Sequence, residues 1–400
     1  MLKYWLWLCN LPGLTNQTRL SLLQRFGTPE DIFFAETDEI LLTEGIRRAQ
    51  AALLENKDLK LADEIMGDCD GLGLRVVTMQ DADYPNRLRN IYDPPCLLYT
   101  RGRFPMFDDE VAIAVVGTRD ATPYGIDCAE KLSYGMARDG ALIVSGLARG
   151  VDAAAHRAAL RAGGITAAVL GSGIDVVYPR ENAYLYQDIA ATGVLISPYP
   201  PGTEPKPAHF PARNRIISGL CLATLVTEAP VQSGALITAA TALEQSRDVF
   251  AVPGPIDAKN SQGCNRLIRD GAGLVSEPWD ILRDYVDRYP GKLTESGRAA
   301  PENLGYAGRQ KAAVKNEEKQ EEPSPEKVTL SLSQNDLSLT DDQIRLLQAM
   351  GDTPIQADDL IELTQIPARR VLSALTVLEI EALVVQESGK RFSRTVTLAE

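Results

Sequence analysis

Apolar and polar positions divide the chain into four stretches of different character. From 111 to 252, short apolar runs recur at 111–116, 141–144, 166–170, 193–196, 223–226 and 248–252. They are rich in Val, Ile, Leu and Ala without alternation, the pattern of a strand covered on both faces. Segments with helical spacing, at 124–138, 152–162, 181–191 and 233–246, separate most of them. Strand and helix in alternation predict an α/β domain built on a doubly wound, mostly parallel sheet. Ligands of such sheets bind outside the carboxyl ends of the strands.

The flanks read differently. Residues 1–80 predict short helices: Thr15 caps one, Leu20, Leu22, Leu23 and Phe26 form its apolar face, and Gly27 stops it. The pattern resembles a helix-hairpin-helix or SAM-like bundle, and its acidic balance favours a packing role over phosphate binding. Residues 83–105, with Asp93-Pro-Pro-Cys-Leu-Leu-Tyr99, predict an extended connector into a central domain over 81–287. Residues 288–338 predict a linker, because the run at 315–325 is too polar to bury a core. In 339–400, three helices (341–349, 357–363, 368–378) and a hairpin from 383–385, 389–391 and 395–398 look like a winged helix, with Arg369 and Arg370 opening the recognition helix.

Charge narrows the function. The net charge is −13, and residues 111–280 hold 14 basic and 16 acidic side chains. A basic coat is excluded, so a nucleic-acid site must be a local groove. The winged-helix segment, with 6 basic and 10 acidic residues over 340–400, suits a protein contact at least as well as DNA. No apolar run reaches membrane-spanning length, and the apolar start lacks a basic flank and is cut by Pro12-Gly13, so a cytoplasmic protein without membrane insertion is expected. Six scattered cysteines form no CxxC pair, which points to neither a disulfide framework nor a metal site.

The candidate chemistry lies in turns after the strands. Gly117-Thr118-Arg119 follows the first, with a glycine for close approach and a guanidinium that forks onto phosphate. Ser145 to Asp152 follows the second, with His156 beyond; a local Asp152–His156 bond is the modest expectation there. Gly171-Ser172-Gly173 follows the third and leads to Tyr178-Pro179-Arg180. Arg213-Asn214-Arg215 comes after Phe210, and Ser233-Gly234 opens a helix whose free amides favour an anion. Arg119, Arg180, Lys206, Arg213 and Arg215 make a candidate basic strip, and Phe210 and Tyr184 are candidate stacking surfaces. Catalysis has little support. Only two histidines exist, and no serine elbow, zinc signature or Walker A motif is present. The strand-end pattern is not GxGxxG, so no dinucleotide cofactor, indeed no cofactor or catalytic residue, is expected.

These motifs, in order, resemble the DprA/Smf family: Gly117-Thr-Arg119 with Tyr124-Gly125, the 145–152 turn with Ala155-His156, 169–173 with Tyr178-Pro179, 210–216, Glu228-Ala with 233–238, and Val252-Pro-Gly254 with Gly263-Cys-Asn265. The resemblance covers about 83–285 closely. It implies an extended Rossmann-like fold, single-stranded-DNA binding, homodimerisation, and loading of the RecA recombinase during natural transformation. It implies Arg119 and Arg180 as DNA contacts, with Gly117, Thr118, Gly171, Ser172, Gly173, Arg213, Asn214, Ser233 and Gly234 around the same pocket. Two departures stand out: Thr118 replaces a common serine, and Ser197-Pro198-Tyr199-Pro200 lacks the glutamate of Ser-Glu-Tyr-Pro. The alternatives are a Rossmann-like nucleotide phosphoribohydrolase, whose Pro-Gly-Gly-x-Gly-Thr loop is missing here and for which Glu228 would matter, and a winged-helix transcription regulator.

Overall fold

The computed structural model describes residues 1–295, 329–331, 340–350, 355–364, 366–380, 383–387, 391–394 and 397–399. Each apolar run read between 111 and 252 is a strand of one sheet. Its strands are β1 (Arg75–Thr78), β2 (Leu97–Gly102), β3 (Ala112–Val116), β4 (Leu142–Ser145), β5 (Thr166–Val169), β6 (Val194–Ser197), β7 (Ala223–Val226), β8 (Asp248–Ala251) and β9 (Gly273–Leu274). The order across the sheet is β1-β2-β6-β5-β4-β3-β7-β8-β9. All pairs from β6 to β9 are parallel, while β1–β2 and β2–β6 are antiparallel. Every residue of β3, β4, β5, β6 and β7 is buried, which is why these runs do not alternate. From β3 the chain winds outward through β4, β5 and β6, then crosses back to β7 and β8 on the other side. The direction of winding therefore switches between β3 and β7, and a crevice opens beyond their carboxyl ends.

Besides the two-residue β9, two strands escaped the sequence reading. Arg75–Thr78 lies in the stretch read as helical, and Leu97–Gly102 in the stretch read as connector; both are strands at one end of the sheet. Their pattern is too short to declare itself, and Pro94-Pro95 masks the start of the second.

The six short helices of the amino-terminal region end as their residues dictate. Thr15 Oγ1 accepts from the Thr18 amide, and Gly27, at φ +82°, closes Asn16–Phe26 with its N–H on Leu23 O. Trp5, Leu6, Trp7 and Leu8 are buried in a core that continues into Leu97, Tyr99, Leu170 and Leu195 of the central domain. Beyond the sheet, residues 288–295, read as linker, still hold to it: Lys292 pairs with Glu110 at 2.7 Å, and the Thr294 amide donates to Asp139 O.

The expected Asp152–His156 bond does not form. Asp152 accepts instead from the Gly146 and Ala148 amides, and His156 Nδ1 lies 2.7 Å from Thr166 Oγ1. That hydroxyl already donates its one proton to Ile143 O, so the imidazole must donate from Nδ1. His156 is fully buried between helix Val151–Arg161 and the sheet, and burial pushes its pKa down to about 3. The unfolded chain therefore takes up this proton as pH falls below about 6.5, and the folded chain does not. The stabilisation is complete above that value and drains away towards pH 3, by roughly 1.4 kcal/mol per pH unit. His156→Leu is expected to flatten the fall of the urea midpoint between neutral pH and mild acid; a fall as steep as in the unaltered chain would refute this account.

The carboxy-terminal unit has a core of its own. Helices Asp341–Ala349, Ala357–Thr364 and Ala368–Ile380 pack through Leu346, Leu347, Leu360, Leu375 and Leu378. Thr340 and Gln343 cap the first reciprocally. The wing differs from the expected hairpin: Val384–Glu387 pairs antiparallel with Arg391–Arg394, whereas Thr397–Ala399 pairs in parallel with Thr329–Ser331, from the stretch read as linker. Residues 389–390, and the run at 315–325, lie outside the described residues, as does the Arg369 side chain. Among the described residues no helix is long and apolar enough to cross a membrane.

Candidate nucleic-acid interface

The crevice at the switch point is built by loops that lock onto one another. The Thr118 amide donates to Glu228 O at 2.8 Å, joining the loops after β3 and β7. Val151 N donates to Thr118 O, joining the loop after β4. Gly150, at φ +72°, lies so close that a Cβ there would meet Arg119 O at 2.6 Å. A Cβ on Gly117 would meet Glu228 O at 2.9 Å. The glycines thus let three backbones close up while leaving the Arg119 side chain outside.

Glu228 itself is turned away from the crevice. Its buried carboxylate accepts from the Thr122 amide at 2.8 Å and from Thr122 Oγ1 at 2.7 Å, at the start of helix Pro123–Arg138. Gly125 leaves the space it occupies. An acid at a helix N-terminus is stabilised by the amides and the dipole, and this one is spent on holding the loop.

Of the residues proposed from sequence, Gly117, Thr118, Arg119, Arg213, Asn214, Ser233 and Gly234 line one cleft of about 330 Å³. Ser233 caps helix Gly234–Glu244 by accepting from the Ala235 amide, so this helix start faces the cleft with its positive end. Nothing would meet a Cβ on Gly234, so the way to these amides is open. Gly171 lines the adjoining hollow, where a Cβ would meet the Phe210 ring at 3.0 Å.

Arg119, exposed, and Phe210, part-exposed, form a pair at the rim. The Arg119 guanidinium lies 4.9 Å from the centre of the Phe210 ring. Tyr178 stands 5.8 Å from the same ring, centroid to centroid, with about 40% of its own surface exposed. Phe210 is one of the two candidate stacking surfaces read from the sequence, and the tertiary structure holds its ring against Gly171 and leaves it part-exposed beside the arginine. Tyr178 had been quoted only as part of a motif, and no local signal gave its ring this position. Tyr184 is almost wholly exposed but lines none of these clefts.

Five of the proposed contacts are buried or lie outside the cleft. Arg213 is only 3% exposed; Nη1 donates to Gly146 O at 2.6 Å and to Val169 O, and Nε donates to Asn214 Oδ1. It ties the ends of β4 and β5 to helix His209–Leu220, so its charge acts from the floor of the cleft rather than by direct contact. Burial lowers its pKa to about 10, which leaves it charged at neutral pH, and burial likewise raises the nearby Asp152 above the ordinary carboxylate value. Ser172 and Gly173 are buried beneath the rim, with Ser172 Oγ bonded to Val176 O and the Gly173 amide to Thr203 O. Arg180 is exposed but lines none of these clefts. Arg215 faces a different cavity, paired with Asp93 at 3.1 Å.

Residues 75–286 match the family described as DNA recombination-mediator protein A, more than half of the chain. The chain belongs to this family. Residues 331–390 match a second description, DprA winged helix domain, in agreement with the helices and wing of the carboxy-terminal unit. Among relatives of this DNA recombination-mediator chain, Protein Smf of Synechocystis sp. is 37% identical over 331 residues, covering 80% of this chain and 79% of its own. DNA processing protein DprA of Streptococcus pneumoniae is 46% identical over 205 residues, 51% of this chain and 72% of that protein. The X-ray structure of DNA processing protein A (DprA) from Streptococcus pneumoniae superposes with a TM-score of 0.64 at 38% identity, covering 71% of this chain and 98% of that one.

Proposed function

We propose that the chain grips single-stranded DNA along this rim without reacting with it, and hands it to RecA during recombination of incoming DNA in natural transformation. One observation carries the reading: an exposed guanidinium lies 4.9 Å from the centre of a part-exposed aromatic ring, in a cleft that also holds an open helix start. Phosphate suits the guanidinium and the helix amides, and an unstacked base suits the ring. A duplex hides its base faces, so it would use only half of this arrangement. The family description as a recombination mediator supports the RecA step, and the resemblance supports a cytoplasmic homodimer. The nucleotide-hydrolase reading gains no support, since Glu228, the carboxylate that would test it, accepts from Thr122 rather than facing the cleft. On the carboxy-terminal unit, Arg370 is paired with Asp342 at 2.7 Å, which leaves less charge for duplex DNA than the sequence implied.

Competition between single and double strands of one sequence tests the reading, together with Phe210→Ala. The variant is expected to lose roughly 1–3 kcal/mol of single-strand affinity, one stacked base, with the salt dependence unchanged because no charge is removed. Equal affinity for both forms of DNA, or a Phe210→Ala protein that binds as tightly as the unaltered chain, would overturn it.

A further inference from the structure

The cleft around Arg119 and Phe210 does not end at the rim. A hollow of about 390 Å³ beside it is walled by Phe210, Pro211 and Ile237. Pro211 and Ile237 are also walls of a second cavity, of about 430 Å³, between the amino-terminal helices and the central domain. Ile237 is 56% exposed on the ridge between the two. The second cavity holds two arginines brought from different domains. Arg19 leans across its own turn, with Nε on Leu8 O at 2.9 Å and Nη2 on Leu11 O at 3.3 Å. Arg215 uses Nη1 on Asp93. Among the described residues, Arg19 Nη1 and Arg215 Nη2 carry no hydrogen bond. The one acid here, Asp93, is already shared by Arg215, Asn16 and Gln17. Prolines 95 and 198 and the Tyr199 ring supply apolar walls.

We infer that the second cavity takes the next stretch of the same single strand, with phosphate on Arg19 and Arg215 and a base against the proline and tyrosine walls. The inference rests on the reading of the Arg119 rim and extends it: the amino-terminal helical region then forms one bank of the DNA path. Continuity through Pro211 and Ile237 fits this occupant, as does an excess of cation in a region of acidic balance. A polyanion whose neutral bases alternate with charge matches walls that are part apolar and part cationic.

The test uses the full chain, labelled oligothymidylates of about 6 and about 20 nucleotides, chosen within and beyond the usual footprint of one binding module, and Thr241→Glu. Thr241 lines the second cavity but none of the clefts around Arg119. The variant is expected to weaken the long oligonucleotide about ten-fold and the short one less than two-fold, with a shallower salt slope only for the long one. Halogenated oligonucleotides photo-crosslinked to the unaltered chain are expected to mark peptides containing 9–19 or 93–99 as well as Phe210; if the variant unfolds, this measurement decides alone. Unchanged binding of the long strand by a folded variant, or crosslinks confined to the Phe210 region, overturns the inference while Arg119→Glu still weakens both strands. If Arg119→Glu weakens neither, the rim reading has failed and the extension falls with it.

Discussion

Arg119→Glu is expected to lower the affinity for single-stranded DNA by about ten- to a hundred-fold near physiological salt, and to make the slope of log affinity against log salt shallower by about 0.7 or more. The size follows from what the side chain does. Its backbone is fixed by the locked loops at Gly117, Gly150 and Glu228 O, so the side chain starts from a fixed point beside the Phe210 ring before DNA arrives. It also covers one side of the Phe210 ring, so a glutamate there sets a negative charge against both the phosphate and the stacked base. Each phosphate released from a basic partner returns its counterion, which is the origin of the slope change. Phe210→Ala should weaken binding without that change, so the two variants separate charge from stacking. Anisotropy titrations over a salt series measure both quantities. An Arg119→Glu protein with the affinity and slope of the unaltered chain would remove the rim as the DNA site.

Arg213→Met should cost the fold roughly 3–5 kcal/mol, a loss set by a buried charge taken from its partners. The guanidinium is nearly inaccessible, and Gly146 is a glycine because the guanidinium lies where a side chain would otherwise stand. Without it, the carbonyls of Gly146 and Val169 lose their donor, at roughly 1–3 kcal/mol each if left unsatisfied. Asp152 would also be left buried in a poorer field, since the Arg213 charge is the largest influence holding its pKa down against burial. For a domain whose total stability is on the order of 5–15 kcal/mol, thermal unfolding should come about 10 °C or more earlier. DNA affinity measured well below that temperature should fall less than for Arg119→Glu. A melting temperature within about 2 °C of the unaltered chain would show that the network is not structural.

The same arginine marks the limit of what local sequence conveys. Arg213, Asn214 and Arg215 are neighbours and look like one basic cluster. On a helix, successive side chains point about 100° apart, so Arg213 goes into the floor of the cleft, Asn214 to its wall and Arg215 to the far side against Asp93. The five basic residues read from the sequence as a strip become an exposed arginine at the ring, a buried strut, one cation in a separate cavity, and two, Arg180 and Lys206, that line none of these clefts. His156 and Asp152, four apart on one helix, similarly suggested each other as partners; each instead found closer groups on the neighbouring strands and turns.

The sequence by itself determined the alternation of strand and helix, because full burial on both faces demands unbroken apolar runs. It determined where the turns fall, because glycines and caps act on their immediate neighbours, and the family, because ordered motifs survive as strings. Only the tertiary structure decided which of those turns meet, since the switch between β3 and β7 joins residues more than a hundred positions apart. It alone brought Phe210 beside Arg119, and set Arg19 and Arg215 in one cavity, because a contact between distant segments is fixed by how layers pack rather than by any property of the segments taken alone.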